Sequence, residues 1–99
     1  MEKKFTVIAC RWFDRTYGNT YHSVRCIRHK DGAEIAAELQ YGHGECYRQT
    51  AAELMQESGW LPKKYTKKTS YYYDREHNYP IIWDVSDGLK RDAVANGKL

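Results

Sequence analysis

Hydrophobic and polar positions alternate almost from the start of the chain. In residues 4–13, Phe5, Val7, Ala9 and Phe13 fall on one face and Ile8, Cys10 and Trp12 on the other. A period of two predicts a strand, and apolar residues on both faces predict a central one, covered on both sides. Residues 14–20 are rich in turn formers. A second strand follows at 21–29, with Val24 and Cys26 on one face and Tyr21 and Ile27 on the other. Asp31-Gly32 then favours a tight hairpin, because both residues tolerate positive φ. The third strand, 34–41, puts Ile35, Ala37, Leu39 and Tyr41 on one face and Glu34, Glu38 and Gln40 on a wet one.

The period changes after Gly42-His43-Gly44-Glu45. Tyr47, Ala51, Leu54 and Met55 form a helical stripe over about 46–58. Glu45 stands at its start, Gly59 fits the position after its end, and Pro62 blocks extension. Residues 62–68 read as a loop. The aromatic content of 71–76 predicts a fourth strand and the alternation of Ile81, Trp83 and Val85 a fifth. A short last helix, capped by Ser86 and stopped by Gly97, closes the chain. The order β-β-β-α-β-β-α predicts one α+β domain over 1–99. Its mostly antiparallel sheet of about five strands carries the main helix on one face.

Composition narrows the function classes. The chain has 99 residues, 41% of them hydrophobic and 29% charged, which suits a globular fold rather than a disordered one. No apolar run approaches the roughly 20 residues of a membrane span, and the N-terminus lacks a signal-peptide core. Cys10, Cys26 and Cys46 are odd in number and have no paired spacing. They read as small buried hydrophobes in a reducing cytoplasm. The net charge is +3, far from the strongly acidic balance of a DNA mimic and from the basicity of a histone-like binder. Residues 47–68 hold five Lys/Arg against two Asp/Glu and so account for the whole excess.

Aromatic residues are unusually many: nine Tyr, three Trp and two Phe. Phe5, Trp12, Phe13, Tyr47, Trp60 and Trp83 are assigned to the core. Tyr17, Tyr21, Tyr41, Tyr65, Tyr71, Tyr72, Tyr73 and Tyr79 are left as partly exposed contact candidates.

Two constellations point to binding. In the first, Gly42 and Gly44 lead from a strand into a helix start, where free N–H groups favour an anion. His43 and Arg48 add charge, and Tyr41 and Tyr47 could stack on a base. The alternative is a turn that simply needs glycine. The second is basic and aromatic: Arg11, Arg15, Arg25 and Arg28 on the first two strands or their turn, and Lys63, Lys64, Tyr65, Lys67 and Lys68 in the loop. Cations interleaved with aromatics suit phosphate contact plus stacking. Three strands followed by a helix also match the layout of integrase arm-binding domains, which lay a sheet in the DNA major groove. The alternative is a solvated loop and strand-edge arginines. Cys46 at a helix start near His43 could be an activated nucleophile, but no third orienting group is identifiable. His43-x-Glu45 lacks the second half of a zinc deaminase signature. No complete acid–base, nucleophile or metal set appears, so the expected protein is a non-enzymatic binder with no cofactor and no metal.

Tyr41-Gly42-His43-Gly44-Glu45 with Tyr47-Arg48-Gln49-Thr50-Ala51, and Asn78-Tyr79-Pro80 with Val85-Ser86-Asp87-Gly88-Leu89-Lys90-Arg91, resemble stretches of small uncharacterised phage and metagenome proteins. The resemblance implies a phage or mobile-element setting, where proteins of this size are often counter-defence factors. The expected partner is a nucleotide-like, phosphate-bearing small molecule to be sequestered, or a host enzyme to be inhibited. The alternative is a DNA- or RNA-binding module using the three-stranded sheet and the lysine loop. Strand 71–76, rich in tyrosine, is a candidate edge for a homodimer.

Overall fold

The computed structural model describes residues 2–99. Four strands form one sheet: β1 (Phe5–Asp14), β2 (Asn19–Arg28), β3 (Glu34–Tyr41) and β4 (Ile81–Asp87), in the order β3-β2-β1-β4. β2 is antiparallel to both β1 and β3, whereas β4 runs parallel to β1. The sheet is therefore mixed, with four strands rather than the expected five. The reason is topological. The chain leaves β3 at one edge, crosses the sheet through helix α1 (Cys46–Glu57), and returns alongside β1 at the other edge. A crossover of that kind delivers a parallel strand.

The predicted strand at 71–76 is helical. A 3-10 turn, Ser70–Tyr72, runs into a single turn of helix, α2 (Tyr73–Glu76). Ser70, Tyr73 and Asp74 are buried, at i, i+3 and i+4, which is a helical spacing. Tyr73 packs edge-on against Phe5 and Tyr65, and this tertiary contact overrides the strand propensity of the tyrosine run. The proposed dimer edge is thus not an edge; the sheet ends at β3 and β4.

Both sheet faces carry a helix, not one. On the first face, Phe5, Val7, Ala9, Val24, Cys26 and Ile81 pack against Tyr47, Ala51 and Met55 of α1. Each large side chain buried this way contributes about 1.5–3 kcal/mol. α1 ends as expected: Gly59 takes φ 76, and Trp60 N–H closes back onto Met55 O at 2.9 Å. On the second face lies α3 (Lys90–Asn96). Ser86 is part of β4 and not its cap; Asp92 reaches back to the N–H of Leu89 instead. Ser23 Oγ donates to Ala93 O, and Asn96 Nδ2 donates to Ile8 O at 3.0 Å. Gly97 follows, where an added Cβ would come within 2.8 Å of Ala37 O. No helix among the described residues is long and apolar enough to cross a membrane.

A register shift between His22 and Val24 in the β2–β3 ladder changes the face of the last residues of β3. Upstream of it, Ile35 and Ala37 face the core. Beyond it, Tyr41 turns to the second face, edge-on to Tyr21. A bulge has this effect because one extra residue reverses the alternation. The aromatic assignments change accordingly. Phe13, expected inside, is 54% exposed, whereas Tyr65 and Tyr73, expected at the surface, are each 5% exposed.

Candidate functional site

The first face of the sheet does not close completely over β4. Between α1, the helical segment 70–76 and β4 lies a cleft of about 500 Å³. That volume is in the range of small-ligand sites. Its principal side chains are Arg48 from α1, Tyr72, Asp74 and Arg75 from the helical segment, Tyr79 from the following turn, and Trp83 from β4.

Trp83 is fixed from below. Its Nε1–H donates to Asp74 Oδ2 at 3.1 Å, and the N–H of Ile81 donates to Asp74 Oδ1 at 3.2 Å. Trp83 and Tyr47 meet edge to face, with centroids 5.9 Å apart. Arg48 lies over the face of Trp83, 4.9 Å from its centroid. The Tyr47 hydroxyl foremost, and Glu45 and Asp74 after it, hold the guanidinium protonated beyond its ordinary range. Its Nε is buried with no hydrogen-bond partner, since the nearest Glu45 oxygen is 3.9 Å away. Arg75 lies similarly over Tyr72, at 5.3 Å. The cleft therefore pairs each of two cations with an aromatic face.

Its mouth is strained. Asn78 and Tyr79 have φ of 63° and 59°, a left-handed conformation that side chains rarely adopt. Pro80 contributes by disfavouring the right-handed helical region for the residue before it. Tyr79 N–H donates to Asp74 O at 2.7 Å, and Lys3 Nζ donates to Tyr79 O at 2.7 Å. These bonds hold the turn and leave the Tyr79 ring 53% exposed at the rim. Such strain costs about 1–3 kcal/mol and clusters at functional sites.

The glycine loop is built differently from the expected anion cradle. Gly42 is buried, and a Cβ there would come within 2.8 Å of the His22 ring and 2.9 Å of Cys46 Cβ. His22 Nδ1–H donates to Gly42 O at 3.1 Å, and its Nε2 accepts from the Thr50 hydroxyl at 2.6 Å. A carbonyl can only accept, so the ring carries its proton on Nδ1. Burial pushes its pKa down. At the start of α1, the Cys46 and Arg48 N–H groups donate to His43 O and Glu45 O. Two donors that an anion would use are thus already engaged. Gly44 O accepts from Arg11. Of the six residues expected to converge here, Tyr41 lies on the second face, Tyr47 is in the core and Arg48 points into the cleft. Only Gly42, exposed His43 and exposed Gly44 remain together.

The basic set is likewise dispersed. Arg11 pairs with Asp87 at 2.8 Å. Arg25, on the second face, donates to the Asn96, Ala95 and Lys98 carbonyls, and so caps the end of α3. Arg28 pairs with Asp31 and lies over Trp60 at 4.7 Å. In the loop, Lys67 pairs with Glu57, Lys64 lies over Tyr65, and Lys63 and Lys68 are exposed. The Tyr65 hydroxyl donates to Glu76 at 2.6 Å and lies 3.1 Å from His77 Nε2, an arrangement that ties the loop to α2. Arg15 is exposed in the β1–β2 turn. Among the described residues, no three His, Cys, Asp or Glu side chains gather as a metal set would require.

Comparison with family models, curated proteins and solved structures finds no match to this chain. The chemistry of the cleft therefore carries the functional reading by itself. Arg48 belonged to the expected ligand set, but the sequence attached it to the wrong wall. Tyr72, Asp74 and Arg75 were missed as cleft residues because 71–76 read as a strand, and Trp83 because it was assigned to the core. The one signal that could have found them is Pro80, which interrupts the chain just after Tyr79 at the rim.

Proposed function

We propose that this chain is a non-enzymatic binding protein that takes a nucleotide-like, phosphate-bearing ligand in the cleft between α1, the 70–76 segment and β4. The carrying observation is Arg48, a cation stacked on Trp83 with an unused buried Nε donor. A phosphate on the exposed ends of Arg48 and Arg75, with a ring against Tyr79 at the rim, would use both cations of the cleft. The acids of the cleft favour binding over chemistry. Asp74 gives both oxygens to Ile81 and Trp83, and Glu45 faces Arg48. Asp74 is thus committed to structure and Glu45 stands beside a cation, which supports a binding role. In the phage setting that the sequence resemblance implies, this reading corresponds to sequestration of a nucleotide signal.

A melting-shift screen with ribonucleoside mono- and diphosphates and cyclic dinucleotides tests the reading. A ligand at about 100 times its Kd stabilises the native state by about 2.7 kcal/mol, a shift of many degrees at this chain length. Arg48→Ala should abolish the shift while the variant still melts cooperatively. The absence of a shift with every member of the panel would remove the reading.

A further inference from the structure

At the end of the sheet where β1 starts, residues 3 and 4 carry the strand on past Phe5. Lys4 N–H donates to Pro80 O at 2.8 Å, His29 N–H donates to Lys4 O at 2.9 Å, and His29 Nδ1–H donates to Lys3 O at 3.0 Å. Beside this extension lies a second cleft, of about 590 Å³. Part of its lining is apolar: Phe5 and Leu61 are buried, Trp60 is half-buried and Pro62 is exposed. Trp60 is stacked with Phe5, centroids 5.8 Å apart, and lies under Arg28 at 4.7 Å, so its ring is already partnered. The rest is cationic. Lys3, Lys4 and Lys30 are exposed and make no ion pair among the described residues, while Arg28 pairs with Asp31. Lys3 Nζ donates to Tyr79 O, a bond that fixes the ammonium without neutralising it. Glu2 also lines the cleft. Counted against Glu2 and Asp31, the four cations keep a surplus of two, most of the chain's +3.

We propose that this basic cleft docks an acidic peptide segment of a partner protein, with carboxylates on the lysines and one apolar side chain between Trp60 and Pro62. The cations do not converge on a point. They run from the turn before β4, where Lys3 is held, across β1 to Lys30 in the β2–β3 turn. Two interstrand spacings make that span about 10 Å. One phosphate cannot reach both ends of it. Carboxylates on alternate residues of an extended peptide, about 7 Å apart, can. A nucleic acid also presents spaced charges, but its bases find no unpartnered ring here and its backbone has nothing for the apolar lining. Complementary charge of this kind speeds encounter and selects the partner more than it adds affinity. The inference does not rest on the nucleotide reading: Leu61 and Tyr73 line both clefts, but no cation does.

The experiment is fluorescence anisotropy of a labelled glutamate peptide with one central leucine, at low and at physiological salt. The native protein should bind it, and salt should weaken the binding, because exposed charges are screened over about 10 Å at 0.1 M. Lys4→Glu with Lys30→Glu, both at exposed positions, should weaken it about tenfold, since two attractions become repulsions. Lys4→Gln with Lys30→Gln, which only removes the attractions, should weaken it about threefold. Arg48→Ala should bind the peptide as the native protein does, and the charge-reversed variant should keep any nucleotide melting shift, so each cleft is tested by itself. Four results would overturn the proposal: no binding at low salt; equal affinity when glutamine replaces glutamate or glycine replaces leucine in the peptide; undiminished binding by both lysine variants; or tighter binding of an oligothymidylate or of acidic phospholipid vesicles than of the peptide.

Discussion

Three cysteines sit in three different environments. Cys26 is fully buried in the core, and burial pushes its thiol up to about 12. Cys10 lies beneath α3, and burial again raises its pKa. Cys46 is exposed at the start of α1. Thiolate is the reactive form, so the native protein should show one fast thiol towards Ellman's reagent, and Cys46→Ser should remove it. The other two should react only on unfolding. A second fast thiol in the native state would contradict this placement. His22 yields a prediction of opposite character. Burial depresses its folded pKa, whereas the unfolded side chain titrates near 6.5. Above about pH 6.5 neither state is protonated, and the stability is fully present. Below it the unfolded chain binds a proton that the native state resists, so stability falls as pH falls towards the folded pKa. Urea midpoints measured from pH 7.5 down to 5 should decline, and His22→Gln should flatten that part of the decline.

Among the elements, β1 was legible because Phe5, Val7, Ala9 and Ile8, Cys10, Trp12 show two apolar faces, and β1 is indeed central. α1 was legible because its stripe and Gly59 agree. What was not legible depends on contacts distant in sequence. Tyr71-Tyr72-Tyr73 has strand chemistry, but Phe5 and Tyr65 bind Tyr73 in a helical turn. The bulge opposite Ser23 has no marker in 34–41, so Tyr41 was placed on the wrong face and apart from Tyr21. Asp74 shows the same dependence at the cleft. Its place in the predicted strand 71–76 gave no hint of burial, yet it anchors β4 to α2. Asp74→Ala would leave Trp83 Nε1–H and Ile81 N–H unpaired, at about 1–3 kcal/mol each. The expected result is a lower melting temperature together with a changed Trp83 emission. Asp74→Asn, which keeps one acceptor oxygen, should recover part of both. Full stability in Asp74→Ala would mean that the anchor is not structural.

At the scale of the whole molecule, the sheet separates two chemistries. The first face holds the core and the cleft with Arg48 and Trp83. The second holds α3 and, at one end, a row in which Lys90, Trp12, Tyr21 and Tyr41 each cover the next. The +3 charge is not what distinguishes them, since none of the loop lysines lines the cleft or touches the row. Placement of aromatics beside cations is what matters. The central claim is that the cleft holds a phosphate-bearing ligand through Arg48. The most direct test is calorimetric titration of the native protein and Arg48→Ala with the nucleotides that shift melting. Saturable one-to-one binding in the native protein, lost in Arg48→Ala and weakened in Arg75→Ala, is the predicted result. Undiminished binding by Arg48→Ala would contradict the claim.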